Sequence, residues 1–145
     1  TLYLDIVSGS LPIFKYYIGE TATIQINVGD VDNTQVVRCR WSYQTPLDEC
    51  GNACLDLPGA QLNNTDCYIS WSVVLRAEDI ASGLNSSMYV VAVTVEDFVN
   101  ASSTTPLSSI PHQILVHVSQ RPVDACVSRP GISAFPRRNL ACFGN

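Results

Sequence analysis

Charge is scarce in this sequence: Asp, Glu, Lys and Arg make up 14 % of its 145 residues, against about 25 % in an average soluble domain. Positive charge is scarcer still. Eight Lys and Arg face thirteen Asp and Glu, giving a net charge of -5 and a pI near 4.7. Phosphate-backbone binding needs clustered Lys and Arg, so the balance argues against nucleic acid as a partner. No apolar run approaches the ~18 residues that a membrane helix requires. The longest, "MYVVAVTV" over residues 88–95, is far shorter, and no membrane insertion by this segment is expected. Long helical periodicity is missing as well; "LRAEDIASG" can supply a single turn. With no initiator Met and no signal peptide, the chain is expected to be a mature or excised segment.

What is present points elsewhere. The length suits one domain with an appendage and can bury a real core. Hydrophobic residues are 46 % of the chain, and the rest leans on Ser, Thr, Asn and Gln. That profile suits a secreted β-sandwich better than a cytosolic enzyme. Six cysteines are an even number, as a disulfide framework would give. Three N-glycosylation sequons begin at Asn63, Asn85 and Asn100, each where a loop or strand end is expected. Together these features argue for an oxidising, extracellular compartment, secreted or cell-surface.

Period-two alternation runs through the chain and predicts strands. In "TATIQINV" the apolar set is Ala22, Ile24, Ile26 and Val28; in "VVRCRWSY" it is Val37, Cys39, Trp41 and Tyr43, leaving Arg38 and Arg40 outward. "CYISWSVVL" turns Cys67, Ile69, Trp71, Val73 and Leu75 inward, and "YVVAVTVEDF" turns Tyr89, Val91, Val93 and Val95. "HQILVHV" contributes Ile114, Val116 and Val118, and "LYLDIV" contributes Leu2, Leu4 and Ile6. A weaker strand is expected near residues 60–62 or 16–18. About seven short antiparallel strands, each with one buried face, make an all-β two-sheet sandwich. Residues 1–120 form that sandwich. Residues 121–145, with three Pro, two Gly and no alternation, form a disulfide-closed linker leading into a next repeat unit.

The stretch "DECGNACLD" poses a choice between a metal knuckle, a redox pair and a staple. Cys39 and Cys67 both fall in the inward sets of their strands, so a bridge between them is sterically natural. Cys50 and Cys54 then pair within one loop, and Cys126 and Cys142 close the tail; two crossed pairings of the first four stay open. Loop entropy assigns about 3.6 kcal/mol to the first bridge, about 2 to the second and about 3.2 to the third. A Cys₄ zinc site would need paired C-x₂₋₄-C arms, and Cys39 and Cys67 stand alone. A redox pair would need C-x-x-C spacing, which is absent.

Other residues carry groups that could do chemistry. Asp30, Asp32 and Asn33 offer oxygen ligands, but calcium needs six to eight, and an acidic turn is the plainer reading. His112 and His117 are five apart, so on one strand they face opposite sides and cannot share a metal. No G-x-S-x-G nucleophile motif accompanies them. The adjacent acids Asp48-Glu49, Glu78-Asp79 and Glu96-Asp97 point apart on a strand, unlike a glycosidase pair, and read as solvated surface. Arg38 and Arg40 share a face on which they could grip an acidic glycan or carboxylate, or simply keep the sheet soluble. Arg137-Arg138 could be a dibasic processing site in an exposed linker, with a solvated turn as the plainer reading. "NASSTTPLSS" has the bias of O-glycosylated segments, or is an ordinary long loop. No cofactor and no enzymatic activity are expected.

The run "RCRWS…DECGNACLDLPGAQL…DC…YVVAVTVEDF…PLSSIPHQILVHV" resembles modules repeated in large secreted multidomain animal glycoproteins. "MYVVAVTVEDF" followed by "IPHQILVHV" is similar to the last two strands of immunoglobulin-like, fibronectin-III-like and cadherin-like extracellular repeats. Leu84 ahead of Tyr89 is similar to the corner residues before the sixth strand of such modules. The likeness spans roughly residues 36–118 and implies a fold and a location. The cysteines depart from the immunoglobulin pattern, and no acidic calcium linker follows the last strand as in cadherins. The expected function is a structural extracellular glycoprotein module repeating head to tail in a fibre, stalk or matrix, its partners being copies of itself and attached glycans. The alternative is a cell-surface adhesion or recognition domain that binds a protein or glycan.

Overall fold

Alternating apolar and polar residues produce strands whose inner faces share one core, in a computed structural model that describes residues 6–9, 13–30 and 36–123. Leu2, Leu4, Asp32, Asn33, Cys126, Cys142 and Arg137-Arg138 lie outside the described residues, as does nearly all of the expected linker. Among the described residues, nine strands and one short helix follow in chain order. They are β1 (Ile6–Gly9), β2 (Ile13–Tyr17), β3 (Thr21–Gln25), β4 (Asn27–Asp30) and β5 (Val36–Trp41). After these come β6 (Gln61–Asn63), β7 (Tyr68–Ser72), α1 (Ala77–Ala81), β8 (Ser86–Phe98) and β9 (Ser108–Ser119). The single expected helical turn is α1, and both candidate weak strands exist, as β2 and β6.

A four-stranded sheet has the order β2-β9-β8-β5, and a three-stranded sheet the order β3-β7-β6. All of these pairs are antiparallel except β2 with β9, which is parallel. A further pair joins β1 to β4. Strands β3 and β4 are separated by Ile26 alone, whose N–H donates to the Cys67 carbonyl at 2.9 Å.

The fold is thus all-β, with two sheets facing each other across a shared core. Ile24, Ile69, Trp71 and Val73 come from the three-stranded side, and Tyr89, Val91, Val93, Val95, Val116 and Val118 from the four-stranded side. All are buried to 2 % exposure or less. Each fully buried aliphatic of this size contributes about 1.5–3 kcal/mol of transfer free energy, so these rows hold the layers together. Trp71 and Tyr89 meet edge to face across the layers, with ring centroids 5.2 Å apart, and Trp71 Nε1 donates to the Pro58 carbonyl at 2.9 Å. The polar edge of a buried indole is thereby satisfied.

Two expectations fail at strand ends. Tyr43 was expected inward, but it is 55 % exposed. Strand β5 stops at Trp41, Ser42 takes the buried position against Thr94, and the period-two rule no longer applies beyond it. Glu96-Asp97 was expected on solvated surface, yet Asp97 is 1 % exposed. Its parity is that of Val91, Val93 and Val95, so the pleat turns it inward at the end of the core.

Candidate functional site: the stapled loop and the arginine face

The two disulfides within the described residues answer the cysteine question. Cys39 of β5 bonds to Cys67, the residue just before β7, with Cα atoms 5.3 Å apart, and ties the two sheets together. Cys67 takes a left-handed φ of 51°, and the Cys39 N–H donates to the Asn64 carbonyl at 2.8 Å. Cys50 bonds to Cys54 within the loop, so neither crossed pairing forms. The compact turn between them uses Gly51 at φ 58°, a backbone conformation that side chains other than glycine rarely adopt. Asp48 Oδ1 accepts from the Gly51 N–H at 2.6 Å and the Cys50 N–H at 3.2 Å. Such bonds place the chain in an oxidising, non-cytosolic setting.

The loop from Tyr43 to Pro58 is fastened along the edge of β8. Beyond Trp41, β5 no longer covers that edge. The Ser42 N–H still reaches the Ala92 carbonyl at 3.1 Å, and the next amide facing that edge, on Val90, donates to Asp56 Oδ2 at 2.8 Å. The same carboxylate oxygen pairs with Arg76, whose guanidinium lies over the Tyr89 ring with its carbon 4.6 Å from the centroid. Leu57 is buried beside it. An acidic loop therefore replaces a missing strand.

Arg38 and Arg40 project to one side of β5, as their parity requires. Arg40 grips Glu49 through Nη1–Oε2 at 2.6 Å and Nη2–Oε1 at 2.8 Å, and Glu96 through Nε–Oε1 at 2.8 Å. Glu49 Oε2 also accepts from the Tyr43 N–H at 3.0 Å and Thr94 Oγ1 at 3.1 Å. The Arg40 guanidinium holds the Glu49 carboxyl down to about 2, and Glu49 in turn raises Arg40 further. Arg38 donates to the Ser103 carbonyl at 2.9 Å and to the Ala101 carbonyl, and stacks over Phe98. It thereby pins the "NASSTTPLSS" loop. The carboxylate that Arg40 grips bidentately is the chain's own.

Beside these residues lies an open groove of about 360 Å³, lined by Arg38, Arg40, Trp41, Tyr43, Asn64 and Phe98 among others. His112 and His117 sit on opposite faces of β9, each half-buried, and burial pushes His112 below its ordinary value. Among the described residues no group of three or more His, Cys, Asp or Glu is placed to hold a metal. Asp30 ends β4, apart in sequence from the other described acids.

The sequons are placed as follows. Asn85 and Asn100 are exposed and Asn63 is half-buried at the end of β6. Asn100 Oδ1 accepts from the Ser102 N–H at 3.0 Å and Ser102 Oγ at 2.7 Å. Sequence reasoning missed Asp56, Arg76 and Thr94; only the long-range register brings them to the loop.

No family model matches the chain, and no characterised protein matches it by sequence. Among solved structures, it is similar to a protein from Bacteroides fragilis NCTC 9343 described as an alpha-galactosidase, at 14 % identity and a TM-score of 0.45. That likeness covers 79 % of this chain, which spans 17 % of the other protein's length. Among the described residues no helix is long and apolar enough to cross a membrane.

Proposed function

We propose that this chain is an immunoglobulin-like or cadherin-like β-sandwich module of an extracellular glycoprotein, with a structural role in a head-to-tail array. Strand order supports the fold assignment. Sheets β3-β7-β6 and β2-β9-β8-β5 correspond to the B-E-D and edge-G-F-C arrangement of such sandwiches. Tyr89 near the start of β8 donates its hydroxyl to the Val74 carbonyl at 2.9 Å, tying β8 to the segment that follows β7. The observation that carries the structural role is the loop over β8. Its acids Glu49 and Asp56 are spent on the chain's own arginines and backbone, and its cysteines on each other. Such a loop serves rigidity and protease resistance rather than ligand exchange. Exposed sequons at Asn85 and Asn100 fit glycans that protrude from a stalk.

The intact protein's flanking sequence and its outline in the electron microscope test the reading. Many similar units in a row and a beaded rod are expected; a lone copy in a globular particle overturns it. The second reading, an adhesion or recognition domain, is favoured by the groove beside Tyr43, whose exposed ring and neighbouring Trp41 offer stacking surfaces. Saturable binding of a glycan or protein, lost on Tyr43→Ala, would favour it over the structural role.

A further inference from the structure

The outer face of the three-stranded sheet carries no charge. Strand β3 turns Thr21, Thr23 and Gln25 away from the core while Ala22 and Ile24 are buried. Strand β7 presents Tyr68, Ser70 and Ser72, and β6 presents Gln61 and Asn63 around the inward Leu62. A surface built for solubility carries about 25–35 % Lys, Arg, Glu and Asp. A run of hydroxyls and amides around one aromatic ring suits a ligand that is itself neutral and rich in hydroxyls. A charged side chain under such a ligand would have to be desolvated without a partner, at a cost of several kcal/mol by general estimates, whereas Ser, Thr and Gln exchange hydrogen bonds with it.

A glycosylation sequon lies at the edge of this face. Asn63 opens the sequon Asn63-Asn64-Thr65 and is the register partner of Tyr68 across the β6-β7 hairpin. Residues directly opposite on antiparallel strands hold their Cβ atoms about 4.5–5.5 Å apart. The turn between them is held rigidly. Asn63 Oδ1 accepts from the Thr65 and Asp66 N–H groups at 3.0 and 2.8 Å, and Gln25 Nε2 donates to the Asp66 carbonyl at 2.9 Å. A glycan is linked through Nδ2, so its first sugar starts beside the Tyr68 ring. We propose that the N-glycan on Asn63 lies back over the uncharged face, with its first N-acetylglucosamine stacked on Tyr68 and its hydroxyls bonded to the Ser and Thr rows. This rests on the reading of the chain as an extracellular glycoprotein. It makes the Asn63 glycan part of the folded surface, unlike those at Asn85 and Asn100, which project into solvent.

The test uses the chain secreted from animal cells. Site occupancy is read by mass spectrometry, and release of each glycan from the native protein by peptide-N-glycosidase is followed in time. Release at Asn63 should be at least about tenfold slower than at Asn85 and Asn100, the protection expected of a group held by roughly 1.4 kcal/mol or more. Tyr68→Ala should erase the difference. In parallel, Thr65→Ala, which abolishes the sequon and leaves the Asn63 Oδ1 turn bonds in place, should lower the Tm by about 3–5 °C, the size of shift a single lost contact gives a domain of this length. It should lower it by nothing further in the Tyr68→Ala background. Equal release rates at the three sites in the wild type, which need no variant, overturn the inference. So does an empty Asn63 beside occupied Asn85 and Asn100, and that result leaves the glycoprotein reading standing. Three empty sites overturn both. Binding of a free neutral oligosaccharide by the Thr65→Ala chain overturns the assignment of the face to the chain's own glycan.

Discussion

Arg40 and Glu49 meet fork to fork, nine residues apart in sequence, with two N–O contacts of 2.6 and 2.8 Å. The pair is half-sheltered, its side chains 26 % and 13 % exposed, and Thr94 and the Tyr43 amide complete the carboxylate's acceptor sites. Arg40 also holds Glu96, so one guanidinium joins the stapled loop to strand β8. Bidentate geometry of this kind is the strong form of an ion pair.

The first prediction follows from the Glu49 carboxyl at about 2 in the folded chain. Its folded value lies below its unfolded one, so the pair's stabilisation is complete above about pH 4.5. It is lost as pH falls towards 2. The full difference amounts to at most about 3 kcal/mol. Denaturant titrations should show Glu49→Gln less stable than wild type at pH 7 and nearly equal to it at pH 2. A constant gap across that range would show that Arg40 does not hold the carboxyl down.

The two disulfides should differ in weight. Replacing Cys39 and Cys67 by Ala should cost about 3–4 kcal/mol, and replacing Cys50 and Cys54 about 2, by loop entropy alone. The first also loosens the link between sheets, since Cys39 and Cys67 are 1 % exposed or less within the core. Urea unfolding of the two double variants measures the order. A reversed order would mean that the loop staple, not the inter-sheet bridge, carries the fold.

Tyr89 is buried, and its hydroxyl reaches the Val74 carbonyl while burial pushes its phenol up. Tyr89→Phe keeps the edge-to-face contact with Trp71 and removes only that hydrogen bond. The expected loss is about 1–2 kcal/mol. Thermal unfolding followed by tryptophan fluorescence reads it, and an unchanged Tm would show that this hydrogen bond carries no stability.

The sheets were legible because each inner row has its own local period. Cys39 and Cys67 announced their bridge by parity, and Ile24, Trp71, Val93 and Val116 all fell where the alternation placed them. Parity also contained Asp97, which was passed over because acids are ordinarily solvated. The parallel pairing of β2 with β9 has no local signature, since it joins segments about a hundred residues apart. Nor has the use of Asp56. A carboxylate that caps a strand edge and one that faces solvent look alike until the partner strand is known.

Asp56 gives the last prediction. Strand β8 runs past the end of β5, and the Val90 N–H would lie on an open edge without the Asp56 carboxylate. Open edges template pairing with other chains, so closing this one guards against association. Asp56→Ala removes a charge-assisted hydrogen bond and strands Arg76, whose partner is the same oxygen. The cost should be about 2 kcal/mol. More telling is its location. Amide exchange at Val90 should rise sharply, while Val91 and Val93, whose amides alternate to the β9 side of the strand, stay protected. Asp56→Asn keeps an acceptor for Val90 but loses the charge for Arg76, and should restore much of the Val90 protection with little of the stability. If Val90 exchanges at the wild-type rate in Asp56→Ala, the edge is closed by something other than this loop.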